Sequence, residues 1–542
     1  MKRNSSRWWN GLFDLSGPDR LFRSRLSLSA LLMLASLTAE QPAQARLLRI
    51  LHTNDLHSFM EHGDQPDQGG YAAVKAVIEK AKAESQSQGI DTVVLDAGDF
   101  SDGNAFFFAD EGRHSWRIID AMGFDAIAVG NHDWLVGPDH MNQIASALRL
   151  KTPFLAANIR FSAEHASIDR AVDPFVEIRR DDLKIGILGL TTDELVYRWR
   201  VRDGSIGNPA LTAKKYLPTL KSRNDLVLIL SHLGLKTDIK TIAQTEGADL
   251  VVGGHSHTTL HAPVIAQDLN GNPVPIVQAG SHGEWVGSIL MDVEPGQKPI
   301  LKDYHLIPVA AVEGESPEAA PIRTLVTEGR RLLEQRYSPE WLYETIGFSS
   351  QAIERPKEAS TAWGSFFMET IRESAGADLS IDPGEFHGVS QPAGIVTRET
   401  LMKAYPRVFE MKNLLGWSIW KIRVPGWMIH LLIDQVVRQG LHINTAGLTF
   451  EVESSEKGAR VKHVKINGRS VNWMKNYTMA VTEGIGRGAV EISTLLQLFF
   501  NPRDTGVPVW TALERRLVAA GGDFARAPGS TTAGMIASPR VP

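Results

Sequence analysis

The fold of this chain is decided by residues 47–57, which read Leu47-Leu48-Arg49-Ile50-Leu51-His52-Thr53-Asn54-Asp55-Leu56-His57. A short, mostly apolar run that gives way to polar residues is typical of a buried strand followed by a loop. The loop contains Asp55 and His57, and carboxylate and imidazole side chains are common metal ligands. We therefore expect a strand that delivers ligand side chains at its carboxyl end.

The same pattern returns four more times in the first half of the chain. The apolar runs 92–95, 126–129, 226–230 and 250–252 are followed, in turn, by Asp99, by Asn131 and His132, by His232, and by His255 and His257. Segments between them, such as 71–85, favour helices, so the sequence predicts a layered α/β domain. Each polar residue alone would be interpreted as a turn former, a helix cap or an ordinary histidine. Their repetition indicates one shared site, because the carboxyl ends of strands converge on one rim in such a domain.

These residue types suit a pair of divalent metal ions. A dinuclear site with ions about 3.5–4 Å apart needs a bridging carboxylate and several imidazoles, and Asp99 is the natural bridge. Imidazole and carboxylate ligands favour Zn²⁺, Mn²⁺, Fe²⁺ or Co²⁺ over Ca²⁺ or Cu⁺. Such a pair binds a phosphoryl oxygen and lowers the pKa of a bridging water, so that hydroxide becomes available for in-line attack on phosphorus.

Composition excludes several other classes of protein. The chain has 542 residues, 43% hydrophobic and 22% charged, which fits a soluble protein with two domains. A net charge of -5 gives no indication of a nucleic-acid partner. Cysteine is absent, which excludes disulfides, Cys-ligated zinc and a Cys nucleophile. The sequence also lacks a phosphate-binding P-loop and a Gly-x-Ser-x-Gly elbow.

Residues 1–45 are typical of an export signal. A basic stretch precedes the apolar segment 26–39, and Ala43-Gln44-Ala45 supplies a small-x-small cleavage site before Arg46. The apolar segment is shorter than the ~20 residues that span a bilayer. We expect a Sec-type signal that is cleaved between Ala45 and Arg46, a periplasmic or secreted monomer, and no stable membrane span after cleavage. An uncleaved anchor is the alternative.

The rest of the chain divides into four predicted segments. The α/β domain covers 46–312, and a charged connector with a helix at about 322–336 covers 313–347. A smaller α+β domain covers 348–526, with helices near 362–375 and 426–439. Residues 527–542 are rich in Pro, Gly, Ser, Thr and Ala, and we expect this tail to be disordered.

The polar motifs have a known counterpart. Asp55-x-His57, Gly98-Asp99, Gly130-Asn131-His132-Asp133, Ser231-His232 and Gly253-Gly254-His255-Ser256-His257 follow one another in this order. Together they resemble the signature of the calcineurin-like metallophosphoesterases. The strings 51–57 and 253–257 resemble the 5′-nucleotidase/UDP-sugar hydrolase family within that group, and weaker matches continue at 376–378, 392–397, 446–450 and 477–478. The resemblance implies a four-layer α/β/β/α sandwich, a smaller α+β substrate domain and hydrolysis of nucleotides.

The resemblance also implies roles for individual residues. One metal would be held by Asp55, His57, Asp99 and His257, and the second by Asp99, Asn131, His232 and His255. His132 falls where the family has a catalytic histidine that stabilises charge on the phosphate or the leaving group.

The chain departs from the family in two places. The family orients its catalytic histidine with an Asp at the position that is Leu135 here, so we expect an unsupported imidazole at His132 and a reduced rate. The neighbouring Asp133 is expected to point elsewhere.

In the second domain, His387 stands where the family has a phosphate-binding Arg, and 482–484 lack an expected stacking ring. Phe409 is a candidate for the other ring, and Arg407 and Arg487 are further candidate substrate contacts. The alternatives to a nucleotide are therefore a non-nucleotide phosphomonoester, a cyclic phosphodiester, a sulfur ester, or a metal-containing binding protein without catalysis.

Overall fold

The strand that begins the quoted stretch, Arg46–Thr53, lies in the middle of a seven-stranded sheet. It pairs in parallel with Asp91–Asp96 on one side and antiparallel with Trp285–Val293 on the other. The computed structural model describes residues 46–61, 69–356, 360–408, 414–438, 442–455, 458–488 and 491–527. In spatial order the strands of this sheet are Ile300–Pro308, Trp285–Val293, Arg46–Thr53, Asp91–Asp96, Ala126–Ala128, Phe154–Leu155 and Val172–Asp173.

A second, six-stranded sheet packs face to face with the first. Its strands, in spatial order, are Val264–Gln267, Pro273–Val277, Leu250–Gly253, Leu226–His232, Leu183–Thr191 and Phe175–Arg180. Side chains such as Leu48 and Ile50 from the first sheet meet Ile187 and Leu228 from the second in one fully buried core. The near-continuous apolar runs of these strands follow from burial on both faces, which parallel sheets require.

Helices cover the outer faces of both sheets. Gly70–Ser87, Arg113–Ala121 and Pro138–Ala147 contribute to the core outside the first sheet, and Pro209–Lys221 and Leu235–Ile242 to the core outside the second. The shorter elements here are the helices Phe107–Asp110, Ala166–Ala171 and Leu195–Arg200 and the strand pair Ile159–Arg160 and Ser205–Ile206. The predicted four-layer α/β/β/α sandwich is therefore confirmed, as is the helix expected at 71–85.

The later part of the chain is built on a five-stranded sheet. Its order is Ile443–Ala446, Leu379–Pro383, Asn476–Thr482, Ser418–Pro425 and Arg503–Pro508. The helices Ala362–Ser374, Gly426–Arg438 and Val509–Ala519 bury apolar faces in the surrounding cores. Thr345–Ser349 pairs with Gly394–Thr397, and Leu448–Ser455, Gly458–Ile466 and Arg469–Ser470 form a small third sheet. The remaining helices are Pro339–Leu342, Arg398–Ala404, Glu483–Gly486 and Glu491–Phe500. This α+β arrangement matches the prediction.

One long helix, Ala320–Tyr337, joins the two parts where the sequence favours a helix. Its Leu333 packs with Phe108 of the first part and Trp510 of the second in one apolar cluster. Its Arg330 forms ion pairs with Glu61 and Glu399, which come from the first and second parts. The helix therefore fixes the two parts against each other through both apolar and charged contacts.

The two ends of the chain fall largely outside this description. The expected signal at 1–45 and residues 528–542 of the expected tail lie outside the described residues, while Ala527 is buried. Within the described ranges, no helix combines the length and the apolar character needed to cross a membrane.

Candidate metal centre

The candidate ligands all follow strands of the two central sheets. Asp55 and His57 come after Arg46–Thr53, Asp99 after Asp91–Asp96, Asn131 and His132 after Ala126–Ala128, and His255 and His257 after Leu250–Gly253, while His232 ends its own strand. Because these strands run parallel within each sheet, their carboxyl ends lie on one rim. We call this set of loops the metal rim.

The first cluster on the metal rim consists of Asp55, His57 and His257, whose ligand atoms all lie within 4.8 Å of one another. Nε2 of His57 is 3.0 Å from Nε2 of His257. Oδ1 of Asp55 is 3.4 Å from Nε2 of His257 and 3.8 Å from Nε2 of His57. Two imidazole nitrogens and a carboxylate oxygen that converge in this way have the spacing of ligands around one cation.

The second cluster consists of Asp99, His232 and His255, again within 4.8 Å. Oδ2 of Asp99 is 3.0 Å from Nε2 of His232 and 3.9 Å from Nε2 of His57 in the first cluster. One carboxylate oxygen therefore approaches both clusters, as a bridging ligand must.

Asn131, which follows the next strand of the same sheet, carries a buried amide oxygen. Its Nδ2 donates a hydrogen bond of 2.8 Å to the hydroxyl of Tyr197. Its Oδ1 is buried and has no hydrogen-bond partner in the part of the chain that the structure describes. A buried amide oxygen without a donor is costly unless a ligand satisfies it, so this atom fits a metal site.

The charges of the metal rim favour a cation. Burial alone would lower the pKa of His232, but the carboxylates of Asp99 and Asp55 outweigh it and raise the pKa to about 10. Burial raises the pKa of Asp99, but the neighbouring His232 and His132 lower it by more. The pKa of Asp99 therefore lies well below its ordinary value. Burial and the nearby ring of His257 hold the pKa of His57 well below its ordinary value. The buried carboxylates thus attract positive charge strongly, and the imidazole of His57, which is kept neutral, has an electron pair to donate.

The backbone of the metal rim is held in an uncommon conformation. Asp55, His57, Asp99, His255 and His257 all have φ between 48° and 73°. Residues other than glycine rarely adopt this left-handed region, and such strain concentrates at functional sites. The adjacent loops also approach closely, because a Cβ at Gly130 would collide with the carboxylate of Asp99.

Asp133 ties these loops together, and it points away from the imidazole of His132 as expected. Its Oδ2 accepts the backbone N–H of Asp99 at 3.0 Å and that of Gly130 at 2.7 Å, and its Oδ1 accepts that of Ser101 at 3.0 Å. The carboxylate therefore holds two strand-end loops in register.

The expectation of an unsupported imidazole at His132 is wrong. Nδ1 of His132 is 2.7 Å from Oδ2 of Asp102, a residue that the sequence analysis did not single out. Leu135, which stands where the family has its orienting Asp, is buried in the apolar core. Asp102 lies three residues beyond Asp99 in the same loop, and no pattern of spacing pointed to it.

The structure adds two more side chains to the metal rim. Oε1 of Glu194 lies 3.0 Å from Nε2 of His255. Glu194 follows the apolar strand Leu183–Thr191, so the strand-end pattern could have found it. The ring of His282 stacks on Phe59 with centroids 3.9 Å apart, and it lies 5.8 Å from the ring of His57.

The candidate substrate contacts of the second part are scattered. His387 is 1% exposed and packs against Phe367 and Tyr405. Nε of Arg487 donates to Oε1 of Glu483 at 2.7 Å. Phe409 lies outside the described residues.

Arg407 is held by the backbone of the second part. Its Nε and Nη2 donate to the carbonyl oxygens of Phe386 and Glu385, each at 2.8 Å. After burial and the neighbouring histidines, its positive charge also contributes to the low pKa of His57. Its positive charge therefore contributes to the electrostatics of the rim.

Comparison with protein families agrees with this architecture. Residues 48–259 match the calcineurin-like phosphoesterase family, and residues 345–497 match the 5′-nucleotidase C-terminal domain. The chain is 22% identical over 495 residues to the trifunctional nucleotide phosphoesterase protein YfkN of Bacillus subtilis, which covers 81% of this chain and 32% of that protein. It is 30% identical over 322 residues to a 5′-nucleotidase of Bos taurus, which covers 55% of each chain. The chain therefore spans between a third and about half of the length of these curated relatives.

A solved structure shows the same fold. The 5′-nucleotidase precursor of Thermus thermophilus superimposes with a TM-score of 0.73 at 21% identity, over 88% of this chain and 97% of that one.

Proposed function

Because this chain joins a calcineurin-like phosphoesterase domain to a 5′-nucleotidase C-terminal domain, we propose that it is a dinuclear-metal phosphoesterase that hydrolyses phosphate esters. The observation that carries the proposal is the pair of ligand clusters that share the carboxylate of Asp99. The first cluster would hold one ion through Asp55, His57, His257 and Asp99. The second would hold the other through Asp99, Asn131, His232 and His255.

The chain's own side chains position the ester and its charge. A metal pair, when bound, polarises a phosphoryl oxygen and supplies a nucleophile near neutral pH. His132 stands next to the first cluster, with its ring centroid 4.9 Å from that of His57. Nδ1 of His132 is engaged by Asp102, so Nε2 is the atom that stabilises charge on the phosphate or the leaving oxygen. Arg407 contributes a fixed positive charge near the rim.

Nucleotides are the first substrate class to test, because the curated relatives carry nucleotide phosphoesterase and 5′-nucleotidase names. A second candidate is a different ester: a non-nucleotide phosphomonoester, a cyclic phosphodiester or a sulfur ester. It is favoured by the segment 482–484, where Thr482 donates to Asp382 and Glu483 binds Arg487. This segment offers no aromatic ring to stack on a base.

The test is hydrolysis of AMP, UDP-glucose, 2′,3′-cyclic AMP and bis(p-nitrophenyl) phosphate, with Mn²⁺ or Zn²⁺ added after chelation. The products followed are phosphate from AMP, UMP from UDP-glucose, adenosine monophosphate from the cyclic ester and p-nitrophenol from the diester. We expect turnover that depends on added metal and is lost in Asp99→Asn. Asp303→Asn is the matched control, because Asp303 also pairs with a histidine but is half exposed on an edge strand. Metal-independent turnover would exclude the two-metal mechanism. Two bound metals without turnover of any ester would instead favour a binding protein.

Export and a monomeric state belong to the same proposal. N-terminal sequencing of the protein recovered from the periplasm or medium should begin at Arg46, and a full-length start would contradict cleavage. Light scattering of that material should give the mass of one chain.

A further inference from the structure

We propose that Asp102 is the positioning residue of His132, in place of the family's orienting carboxylate at the position occupied here by Leu135. The inference rests on the proposed function, because His132 has a catalytic role only if the metal rim hydrolyses an ester. Three features of the described residues carry it: the engagement of Asp102, the double attachment of His132, and the surroundings of Leu135.

In the part of the chain that the structure describes, the carboxylate of Asp102 is engaged by the imidazole alone. Its side chain is fully buried, and its Oδ2 lies 2.7 Å from Nδ1 of His132. Its Oδ1 has no hydrogen-bond partner among the described residues. Asp133 behaves differently, since it accepts three backbone N–H groups and holds the loops. Asp102 is therefore not a turn former whose carboxylate serves its own loop.

The loop 98–103 holds His132 at two points. The backbone N–H of His132 donates to Oδ1 of Asp99 at 2.7 Å, and its ring is held by Asp102 from the same loop. A carboxylate ion only accepts hydrogen bonds, so the shared hydrogen lies on Nδ1 of the imidazole. This fixes both the tautomer and the direction of the ring, and leaves Nε2 for an oxygen of the substrate.

Leu135 explains why the carboxylate has to come from another loop. Its side chain is 4% exposed and belongs to the same apolar core as Trp134 and Met141. A carboxylate in that core would require its own partners. The position that orients the histidine in the family is part of the core in this chain, and Asp102 supplies the acceptor from the loop that also carries Asp99.

A double-mutant cycle tests the assignment in the full chain. The variants are Asp102→Asn, His132→Ala and the combination of both, assayed with Mn²⁺ on the faster substrate of AMP and bis(p-nitrophenyl) phosphate. We expect His132→Ala to lower kcat about 100- to 1,000-fold and Asp102→Asn to lower it about 10- to 100-fold with KM unchanged. The combined variant should be no slower than His132→Ala, because Asp102 acts only through the imidazole.

Two controls separate positioning from folding. Asp303→Asn removes the acceptor from Nδ1 of His305 in an exposed pair of similar length, 2.8 Å, and should leave kcat and KM unchanged. Asp102→Glu keeps a carboxylate and should recover part of the rate. Metal content and thermal unfolding are measured on every variant, and the cycle is repeated with Asp102→Ser if Asp102→Asn does not fold.

The possible outcomes distinguish this inference from the proposed function. Full activity in Asp102→Asn beside a slow His132→Ala would overturn the role of Asp102 alone. So would losses that multiply in the combined variant, or a Glu variant no better than Asn. Absence of metal-dependent hydrolysis in the unmodified chain would contradict the proposed function instead.

Discussion

The metal rim and the facing surface of the second part differ in how their side chains are fixed. On the rim, six candidate ligands from four strand ends fall into two clusters, each within 4.8 Å. In the second part, His387 is buried and Arg487 is paired with Glu483. The positive charge of Arg407 contributes to the low pKa of His57 on the rim.

This difference indicates where the protein tolerates change. The ligands of the rim are anchored on paired strands with a strained backbone and a shared carboxylate, so one alteration disturbs both clusters. The loops of the second part are held by individual contacts, such as the two carbonyl groups that hold Arg407. Function that lives in loops on a fixed scaffold changes more readily than the scaffold itself. We therefore expect the metal-dependent hydrolysis to be the same as in related proteins, and the substrate preference to be particular to this chain.

The largest expected effect tests the rim. Asp99→Asn removes the charge that approaches both clusters, and should lower kcat at least about 1,000-fold, since it forfeits several kcal/mol of charge stabilisation. Phosphate release and metal content per chain are the measurements, with Asp303→Asn as the control. Unchanged metal content together with full activity would show that the two metal clusters do not share Asp99. The rim would then not depend on one common carboxylate.

The next effect tests the second part. Arg407→Met removes the positive charge near the rim at similar length, and should raise KM about tenfold with kcat changed little, because a charged contact outside the reacting bond binds ground and transition states alike. The matched control is Arg423→Met, an exposed arginine on the strand Ser418–Pro425. A drop in kcat as large as that of His132→Ala would place Arg407 among the reacting groups. The reaction would then not depend on the rim alone.

The rim was accessible to prediction because one local rule covered it. Asp55, Asp99 and His232 each follow an apolar run, and strand ends in a layered α/β fold share an edge. The same rule, applied to the strand Leu183–Thr191, would also have found Glu194. It does not extend to Asp102, whose contact with His132 depends on the path of a loop across another loop.

The second part was harder to predict from the sequence, because its contacts depend on tertiary packing rather than on the spacing of residues along the chain. His387 was placed by comparison with a family position, but its burial against Phe367 and Tyr405 follows from the way a helix and a loop meet. The charge of Arg407 acts on His57 across the two parts, which the helix Ala320–Tyr337 holds together, and no motif in the sequence encodes that arrangement.

A smaller effect concerns the pH dependence of stability in the second part. Burial raises the pKa of Asp382 to about 8, against the hydrogen bond from Thr482 and the charge of Arg407. An unfolded Asp loses its proton near pH 4, so between these values the folded state holds more protons. Stability should therefore fall as pH rises from about 4 to about 8.

The comparison of Asp382→Asn with the unmodified chain isolates this contribution. The variant should lose less in Tm than the unmodified chain between pH 5 and pH 8, by about 3 °C or more. Asp378→Asn is the control, because the pKa shift of Asp378 has the opposite sign to that of Asp382. Burial opposes but hydrogen bonds from Thr478 prevail, so the pKa of Asp378 is lowered and its contribution is lost at acid pH instead. Parallel profiles for the unmodified chain and Asp382→Asn would contradict a buried carboxyl group that keeps its proton.

The smallest effect decides whether His387 belongs to the core or to the substrate site. Burial, followed by the charges of Arg355 and Arg407, holds the pKa of His387 well below its ordinary value, so the ring is neutral. Neither ring nitrogen has a hydrogen-bond partner among the described residues, and such groups cost about 1–3 kcal/mol. His387→Leu should therefore leave KM unchanged and the free energy of unfolding equal or higher by about 1 kcal/mol.

Phe367→Ala, at the ring that His387 packs against, shows what a true loss of core packing does. It should cost about 3–5 kcal/mol in urea unfolding. A tenfold rise in KM for His387→Leu with stability unchanged would assign the imidazole to the substrate after all. That result would require the second part to move and expose a side chain that is 1% accessible here. The loops of the second part would then be set by the bound ester rather than by their own packing, in contrast with the strand-anchored rim.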